Sequence, residues 1–337
     1  MVAAEALGPV PPAPDRLQLQ WRPYRFALPR AMVTSQGAWR QRCGWLLRLE
    51  ATAGRRGWGE AVAEPERQAR LAGAIAALPD VIDRPALEVL LPQQPPPLAC
   101  ALGMALAELD GLGDAASGGW RAAPASAFLL PAGEAALPAL AEALQAATAA
   151  GHAPTLKWKV GAVADALERR LLDDLLAQLP TAARLRLDAN GGWDRATAEA
   201  WAWRLAAEPR LDWLEQPLPP DDRAGLEALA RQLPVALDES LRGPAGWWPA
   251  ADWPGWLVRR PLLEGDPRPL LAALTAGTPR LMLSTTLETG IGRRFLQHLA
   301  ALQALGPSPT APGLAPGWRP AGELFAADPE RVWGAAA

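Results

Sequence analysis

From residue 126 onward the sequence repeats one pattern, in which a short apolar run is followed by a longer segment with helical spacing. Strands are predicted at residues 126–130, 157–160, 185–188, 213–215, 235–237, 256–259 and 281–284, and helices at 133–149, 162–179, 196–207, 223–232, 267–276 and 291–305. This order favours parallel strands joined by right-handed crossovers. Seven or eight such units that close on themselves predict an α/β fold, a (β/α) barrel of the TIM type.

The part of the chain before this repeat follows a different pattern. Runs of alternating apolar residues at 17–21, 24–28, 43–50 and 57–61 predict short antiparallel strands. Residues 33–40 are predicted to form either a polar loop that contacts a ligand or a surface hairpin, and helices are predicted at 64–78 and 99–112. With 337 residues in all, the chain is long enough for about two domains.

Composition and charge exclude several classes of protein. The net charge of −3, without a basic stripe, gives no reason to expect a nucleic-acid partner. The two cysteines, Cys43 and Cys100, suit a reducing compartment and form no disulfide framework. No segment reads as a signal peptide or a membrane span. We therefore expect a cytoplasmic protein with no membrane partner, either a monomer or a homo-oligomer.

Three of the apolar runs end in a carboxylate, namely Asp188, Glu215 and Asp238. Because active residues of such barrels lie at the carboxyl ends of the strands, these acids are expected around one mouth. Hard oxygen ligands without nearby cysteine or histidine favour Mg²⁺, or Mn²⁺, over zinc. The only histidines, His152 and His298, precede a strand and lie inside a helix, so we expect both to be structural or exposed.

Lys157 and Lys159 lie two apart on a predicted strand, so their side chains point the same way. Two amines held together in a partly desolvated site are expected to lower the pKa of at least one of them. A lysine with a lowered pKa can act as a base near neutral pH. Beside a divalent cation, such a base can remove a proton next to a carboxylate.

Two more residues share the strand parity of Asp188. Asn190 could support the metal ion or a water bound to it. Arg186 is expected inside the barrel, where a charge is not buried unpaired. We therefore expect Arg186 to pair with one of the carboxylates.

The ordered motifs of the chain resemble those of the enolase superfamily, in its muconate-lactonizing type. They are Gly57-Trp58-Gly59-Glu60, Lys157-Trp158-Lys159, Leu187-Asp188-Ala189-Asn190-Gly191-Gly192-Trp193, Leu214-Glu215-Gln216-Pro217, Leu237-Asp238-Glu239-Ser240 and Ser284-Thr285-Thr286-Leu287-Glu288-Thr289-Gly290. Within that type, the chain is most similar to the dehydratases of the menaquinone and phylloquinone pathways.

This resemblance implies a modified (β/α) TIM-type barrel over residues 123–317. It also implies an α+β N-terminal capping domain over residues 1–122, completed by the C-terminal tail 318–337. The implied site holds Mg²⁺ on Asp188, Glu215 and Asp238, with Asn190, Glu239 and Arg186 supporting those ligands. Lys159 would remove the α-proton of a small-molecule carboxylate substrate and then protonate the departing hydroxyl, a syn dehydration that gives an aromatic product. Lys157 would tune Lys159 and meet the substrate carboxylate.

One position departs from the family pattern. Where the family has a second lysine at the end of the sixth barrel strand, this chain has Arg260, followed by Pro261. Arginine is not deprotonated in proteins, so Arg260 cannot serve as an acid–base group. It can still place a cation over a ring or hold an anion. A racemase needs a base on each face of its substrate, so the change favours a one-base dehydration.

The remaining candidate residues are predicted to contact the substrate. Ser284, Thr285, Gly313 and Leu314 follow the seventh and eighth strands, and Gln36, Trp39 and Arg40 are predicted to close over the mouth as a lid. Two alternatives stay open. One is another superfamily activity, such as N-acylamino acid racemization, dipeptide epimerization or cycloisomerization. The other is a non-catalytic relative kept for binding.

Overall fold

The computed structural model describes residues 16–34, 37–63, 67–242 and 253–336. Its N-terminal part contains an antiparallel sheet of strands β1 (Arg16–Thr34), β2 (Gly37–Ala51), β3 (Arg56–Ala63) and β4 (Val81–Asp83), in the order β3-β2-β1-β4. Alternate residues of the long β1–β2 pair, such as Leu17 and Leu47, are fully buried. The alternation seen in the sequence therefore marks the buried face of this sheet.

Three helices accompany the N-terminal sheet, namely α1 (Gln68–Ala76), α2 (Arg84–Leu90) and α3 (Pro96–Leu109). Helix α3 is buried over most of its length and packs on β3. A Cβ added at Gly57 or Gly59 would come within 2.0 Å of the carbonyl oxygens of Ala105 and Ala101, respectively. Only glycine allows this close approach between strand and helix.

The second part of the chain is a curled sheet of seven parallel strands, each next to its neighbour in sequence. The strands are β5 (Phe128–Leu130), β6 (Thr155–Lys159), β7 (Arg184–Asp188), β8 (Leu211–Glu215), β9 (Val235–Leu237), β10 (Trp256–Arg259) and β11 (Leu281–Leu283). The helices are α4 (Ala136–Ala149), α5 (Asp165–Gln178), α6 (Arg195–Leu205), α7 (Arg223–Ala230), α8 (Arg268–Thr275) and α9 (Gly290–Leu305). This is the predicted α/β barrel architecture.

Residues 310–314 bridge the gap between the two edge strands of the curled sheet. Gly313 pairs in parallel with Ser284, just beyond β11. On the other side, the backbone N–H of Ala127 donates to the carbonyl oxygen of Pro312 over 2.9 Å. The segment therefore takes the place of an eighth strand and closes the barrel.

A buried carboxylate in β3 joins the N-terminal sheet to the barrel. Glu60 is fully buried and accepts hydrogen bonds from the Tyr24 hydroxyl, the Thr289 hydroxyl and the backbone N–H groups of Thr289 and Gly292. These two N–H groups lie at the start of α9, where an anion is favoured. Glu60 therefore fixes the first turn of α9 against the N-terminal sheet.

The C-terminal segment returns to the N-terminal sheet. Helix α10 (Pro329–Ala335) places Trp333 edge-on to Trp58, with 5.7 Å between the ring centroids. The Arg22 guanidinium stacks over the same ring at 4.8 Å. These contacts are consistent with a tail that completes the capping domain, and the domain boundaries stay a prediction.

The predicted strands and helices of the barrel are confirmed, with ends that differ by a few residues. At 33–40 the hairpin alternative is confirmed rather than the polar loop, because β1 continues to Thr34 and pairs with β2 from Gly37 onward. The short strands predicted at 17–21 and 24–28 are one continuous strand. Helix α2 was not predicted, since its seven residues carry too little helical periodicity.

Candidate active site

Both lysines of β6 point into the barrel mouth and contact the same carboxylate. The Nζ atom of Lys159 donates to Asp188 Oδ2 over 2.5 Å and to Asn190 Oδ1 over 2.9 Å. The Nζ atom of Lys157 lies 2.8 Å from Asp188 Oδ2 and 2.6 Å from Glu215 Oε1. The parallel register places Lys159 opposite Asp188 and Asp188 opposite Glu215. Strand parity therefore brings these groups together, as the sequence indicated.

The third carboxylate, Asp238, directly follows β9 and has arginine partners. Arg260 Nε lies 3.1 Å and 2.9 Å from the two carboxylate oxygens, and its Nη2 donates to Oδ2 over 2.7 Å. Arg242 Nη2 lies 3.1 Å from Oδ1. Arg260 also donates to the carbonyl oxygen of Thr285 over 2.6 Å. The sequence therefore identified Arg260 as a residue of this site, while Arg259 turns aside to pair with Glu264.

The charges of this cluster shift one another's pKa values. Burial alone would raise the pKa of Asp188, but Lys157 and Lys159 outweigh burial and hold it well below its usual range. Burial and the nearby Asp188 raise the pKa of Glu215 to about 7. Burial alone would lower the pKa of Lys157, but Asp188 and Glu215 raise it above its ordinary value. Lys157 is therefore not an amine with a lowered pKa, because the carboxylates act on it more strongly than its burial does.

The chemistry of these residues fits a hard divalent cation. Asp188, Glu215 and Asp238 are fully buried, and Glu215 Oε2 has no hydrogen-bond partner. An unpartnered buried carboxylate oxygen is unusual and is well suited to a cation with oxygen ligands. In the described part of the chain, no three acidic, histidine or cysteine side chains converge as a ready metal site. Instead, lysine and arginine nitrogens lie against these carboxylate oxygens.

The predicted supporting residues differ in their partners. Asn190 links Lys159 to Glu239, because its Nδ2 donates to Glu239 Oε1 over 3.1 Å. Arg186 is fully buried inside the barrel, as expected, but its Nε donates to Asp212 at the opposite end of β8 from Glu215. Its other nitrogens donate to Thr310 Oγ1 and the carbonyl oxygen of Ala311. The predicted pairing with a metal-ligand carboxylate is therefore wrong, and Arg186 instead secures the closing segment of the barrel.

The predicted substrate residues after β11 lie at the same mouth. Ser284 and Thr285 are buried, and Thr285 is tied to the site through its carbonyl contact with Arg260. Gly313 pairs with Ser284, and a Cβ there would lie 3.3 Å from the Ser284 hydroxyl. Leu314 is buried, and its N–H donates to the Ser126 hydroxyl. Their contact with a substrate stays a prediction.

The predicted lid residues form no direct hydrogen bond or ion pair with the charged cluster in the described part of the chain. Gln36 lies outside the described residues. Trp39 lies on β2 with the Arg42 guanidinium 4.9 Å from its ring, and Arg40 is exposed. Within the described chain, no hydrogen bond or ion pair joins Trp39 or Arg40 to Lys159 or the three carboxylates. A lid role stays a prediction.

Sequence reasoning assigned no role to two residues that organise the strand ends. The side-chain oxygen of Gln216 accepts from the backbone N–H groups of Asp238 and Ser240. Arg242 pairs with both Asp238 and Glu239. Gln216 and Asn190 adopt left-handed backbone angles, with φ of 38° and 47°. Such strained residues concentrate at functional sites, and the Glu-Gln-Pro motif was the available signal for Gln216.

The histidines and cysteines lie away from these strand ends. His298 is buried in α9 with its Nδ1 accepting from the backbone N–H of Arg121, while His152 is exposed. Cys43 and Cys100 are free thiols. Among the described helices, none has the length and apolar character needed to cross a bilayer.

Comparison with known proteins adds an independent line of evidence. Residues 139–252 match the family model described as "Enolase C-terminal domain-like". An o-succinylbenzoate synthase of Thermosynechococcus vestitus is 36% identical over 295 residues, which cover 84% of this chain and 88% of that protein. The crystal structure of an o-succinylbenzoate synthase from Thermosynechococcus elongatus, complexed with Mg in the active site, is 34% identical with a TM-score of 0.77, covering 94% of this chain and 99% of the other.

A more distant structure shares the fold alone. The L-Ala-D/L-Glu epimerase of Bacillus subtilis is 21% identical with a TM-score of 0.71, covering 90% of this chain and 91% of that one. Together, the barrel, the capping sheet and the lysines that face strand-end carboxylates define an enzyme of the enolase superfamily. Within that class, the identity over most of both sequences shows that the chain belongs to the o-succinylbenzoate synthase family.

Proposed function

We propose that the protein is an o-succinylbenzoate synthase. In this proposal it catalyses the Mg²⁺-dependent syn dehydration of 2-succinyl-6-hydroxy-2,4-cyclohexadiene-1-carboxylate in menaquinone or phylloquinone biosynthesis, and it acts in the cytoplasm. The relationship to synthases over most of the chain supports this reaction. The observation that carries it is a single pair of amines at the mouth, with arginine where a second base would stand.

Lys159 would perform both proton transfers. Its neutral amine takes the α-proton from the ring carbon that bears the carboxylate, and the electron pair left behind forms the new ring double bond as the C–O bond breaks. The resulting ammonium then gives that proton to the departing hydroxyl, which leaves as water. One group serves for both steps because the proton and the hydroxyl lie on the same face. Asn190, which accepts from Lys159 Nζ over 2.9 Å, holds the amine in place.

The other residues of the mouth would bind and orient the substrate. When held by Asp188, Glu215 and Asp238, Mg²⁺ or Mn²⁺ would supply positive charge against the negative charge that develops on the substrate carboxylate. Lys157 contacts Asp188, the carboxylate that also binds Lys159, and would thereby tune the basicity of Lys159. Lys157 would also contact the substrate carboxylate. Arg260 would present its guanidinium to the ring.

The same residues argue against the alternative activities. An epimerase that works with a base on each face needs a second group that can lose a proton, and Arg260 cannot do so. A non-catalytic relative has no need of two buried lysines beside three buried carboxylates, an arrangement that is costly to maintain.

The test is incubation of the enzyme with the cyclohexadiene substrate and Mg²⁺, following loss of the diene absorbance. We expect turnover by the wild type and a drop of roughly 10²–10⁴-fold in kcat for Lys159→Ala. Lys159→Arg keeps the charge but cannot act as a base, so it should be equally slow, and circular dichroism should show both variants folded. Full activity in Lys159→Ala, or deuterium exchange at a dipeptide stereocentre without dehydration, would contradict the proposal.

A further inference from the structure

A small cleft adjoins the mouth on the side of β11 and the closing segment. It is lined in part by Thr285, Leu314 and Trp318, together with the arginines Arg293 and Arg319. The enclosed cavity is small, about 10 Å³, and it lies within about 230 Å³ of empty space that includes the open entrance. Thr285 connects the cleft to the site already described, because its carbonyl oxygen accepts from Arg260, the partner of Asp238. The cleft is therefore one residue away from the predicted metal ligands.

Two arginines, Arg293 and Arg319, provide the positive charge of the cleft. Arg293 Nε is buried without a hydrogen-bond partner, and no ion pair of Arg293 or Arg319 occurs among the described residues. Arg293 and Arg319 line the same cleft, and partial burial and repulsion from Arg293 hold the pKa of Arg319 below its ordinary value although Glu288 opposes this shift. A third guanidinium, that of Arg30, stacks over Trp318 at 4.4 Å. Two adjacent cations beside a single carboxylate, that of Glu288, leave a net positive charge that is suited to an anion.

One acidic residue, Glu288, lines the cleft, and one of its carboxylate oxygens is occupied by hydrogen bonds within its own turn. Glu288 Oε2 accepts from the Thr285 hydroxyl, the Thr286 hydroxyl and the backbone N–H of Thr286. This oxygen is therefore committed to the turn after β11. Leu287 and Ala315, which also line the cleft, have φ angles of 64° and 43°. Two strained residues facing one cleft are typical of a site that holds a ligand in place.

We propose that Arg293 and Arg319 bind a second carboxylate of the substrate, remote from the carboxylate at the reacting carbon. This inference rests on the proposed function, whose substrate carries a flexible succinyl chain ending in such a group. The ring carboxylate would lie at the lysines, and the chain would run past Thr285 into the cleft. The cations would also repel a substrate ammonium at this position, which selects a dicarboxylate over a dipeptide.

The experiment compares two ligands that differ only in this carboxylate. Calorimetry in the presence of Mg²⁺ would measure the affinity for o-succinylbenzoate and for 2-butyrylbenzoate, in which a methyl group replaces the terminal carboxylate. We expect the wild type to prefer o-succinylbenzoate by about tenfold or more. Arg293→Met and Arg319→Met should each reduce this preference to about threefold or less, with the affinity for 2-butyrylbenzoate unchanged.

A nearby cation outside the cleft provides the control. Arg331, which pairs with the exposed Glu323, should be replaceable by Met with the full preference retained. An unchanged preference in both cleft variants would overturn the subsite while leaving the proposed function intact if the wild type dehydrates its substrate. A wild type that binds neither ligand and turns over no substrate would overturn both.

Discussion

At the scale of single residues, the site is a cluster of charges in which four acidic side chains face four cationic ones. The acids Asp188, Glu215, Asp238 and Glu239 face the cations Lys157, Lys159, Arg242 and Arg260. Buried charges are tolerated only when paired in this way. A divalent cation on the same carboxylates would counter the attraction that now raises the pKa of Lys157. Whether the pKa of Lys157 is raised or lowered therefore depends on what else binds these carboxylates as well as on the burial of the amine.

Two substitutions of Arg260 test whether the site needs a positive charge at this position or the guanidinium group itself. Arg260→Ala leaves Asp238 without its three contacts to the guanidinium, and we expect kcat/KM for dehydration to fall about tenfold or more. Arg260→Lys restores a cation and should keep substantial activity. Steady-state kinetics with saturating Mg²⁺ would measure both. An Arg260→Ala enzyme as active as the wild type would show that the cation has no role. The control is Arg204→Ala, at an exposed arginine, which should leave kcat/KM unchanged.

At the scale of elements, the sequence predicted which residues end the barrel strands but not how their side chains pair. The strand ends were readable because each apolar run stops at its carboxylate. The pairings join residues far apart in sequence, 58 positions for Lys157 and Glu215 and 22 for Arg260 and Asp238. Such contacts depend on the curvature of the barrel and on the length of the side chains, and the local periodicity of a sequence predicts neither these contacts nor their geometry. The sequence left loop and hairpin open at 33–40 for a related reason, since β1 and β2 extend by pairing with each other.

The contact between α3 and α9 should make stability depend on pH. Arg294 Nη2 donates to the two carboxyl oxygens of the buried Glu108 over 2.5 Å and 2.7 Å, and burial raises the pKa of Glu108 to about 7 although Arg294 opposes the shift. In the unfolded chain the pKa of this carboxyl returns to about 4.5. Between these values the folded state holds a proton that the unfolded state lacks. The contribution of Glu108 to the free energy of unfolding is therefore full below the lower value and declines as the pH rises towards 7.

Urea unfolding of the wild type and Glu108→Gln at pH 5 and pH 7.5 would measure this contribution. We expect the free energy of unfolding of the wild type, relative to the variant, to be smaller at pH 7.5 than at pH 5. Glu50→Gln serves as the control, because Glu50 pairs with Arg56 at the surface, and its free energy of unfolding should follow that of the wild type at both pH values. A difference between wild type and Glu108→Gln that does not change with pH would contradict the assignment.

At the scale of the whole molecule, the chain returns to its beginning to complete the fold. The N-terminal sheet contacts the barrel through Glu60 at the start of α9, and the C-terminal helix α10 contacts the opposite end of the chain through Trp333. Trp333 also lies beneath the guanidinium groups of Arg22 and Arg48, at 4.8 Å and 5.3 Å. The predicted domain division therefore has a physical test, because the tail should share the stability of the capping sheet rather than that of the barrel.

Trp333→Ala is the substitution that tests this division. Trp333 is buried against Trp58, so its removal leaves a cavity, and we expect a loss of about 3–5 kcal/mol in the free energy of unfolding. Hydrogen exchange should then show faster opening of β1, β2 and β3, with the barrel strands β6 to β8 protected as before. Trp203→Ala is the matched control, because that side chain is 82% exposed and its loss should change stability by less than about 0.5 kcal/mol. If the barrel strands lost protection together with the sheet, the tail would belong to a single cooperative unit, and the division into cap and barrel would be wrong.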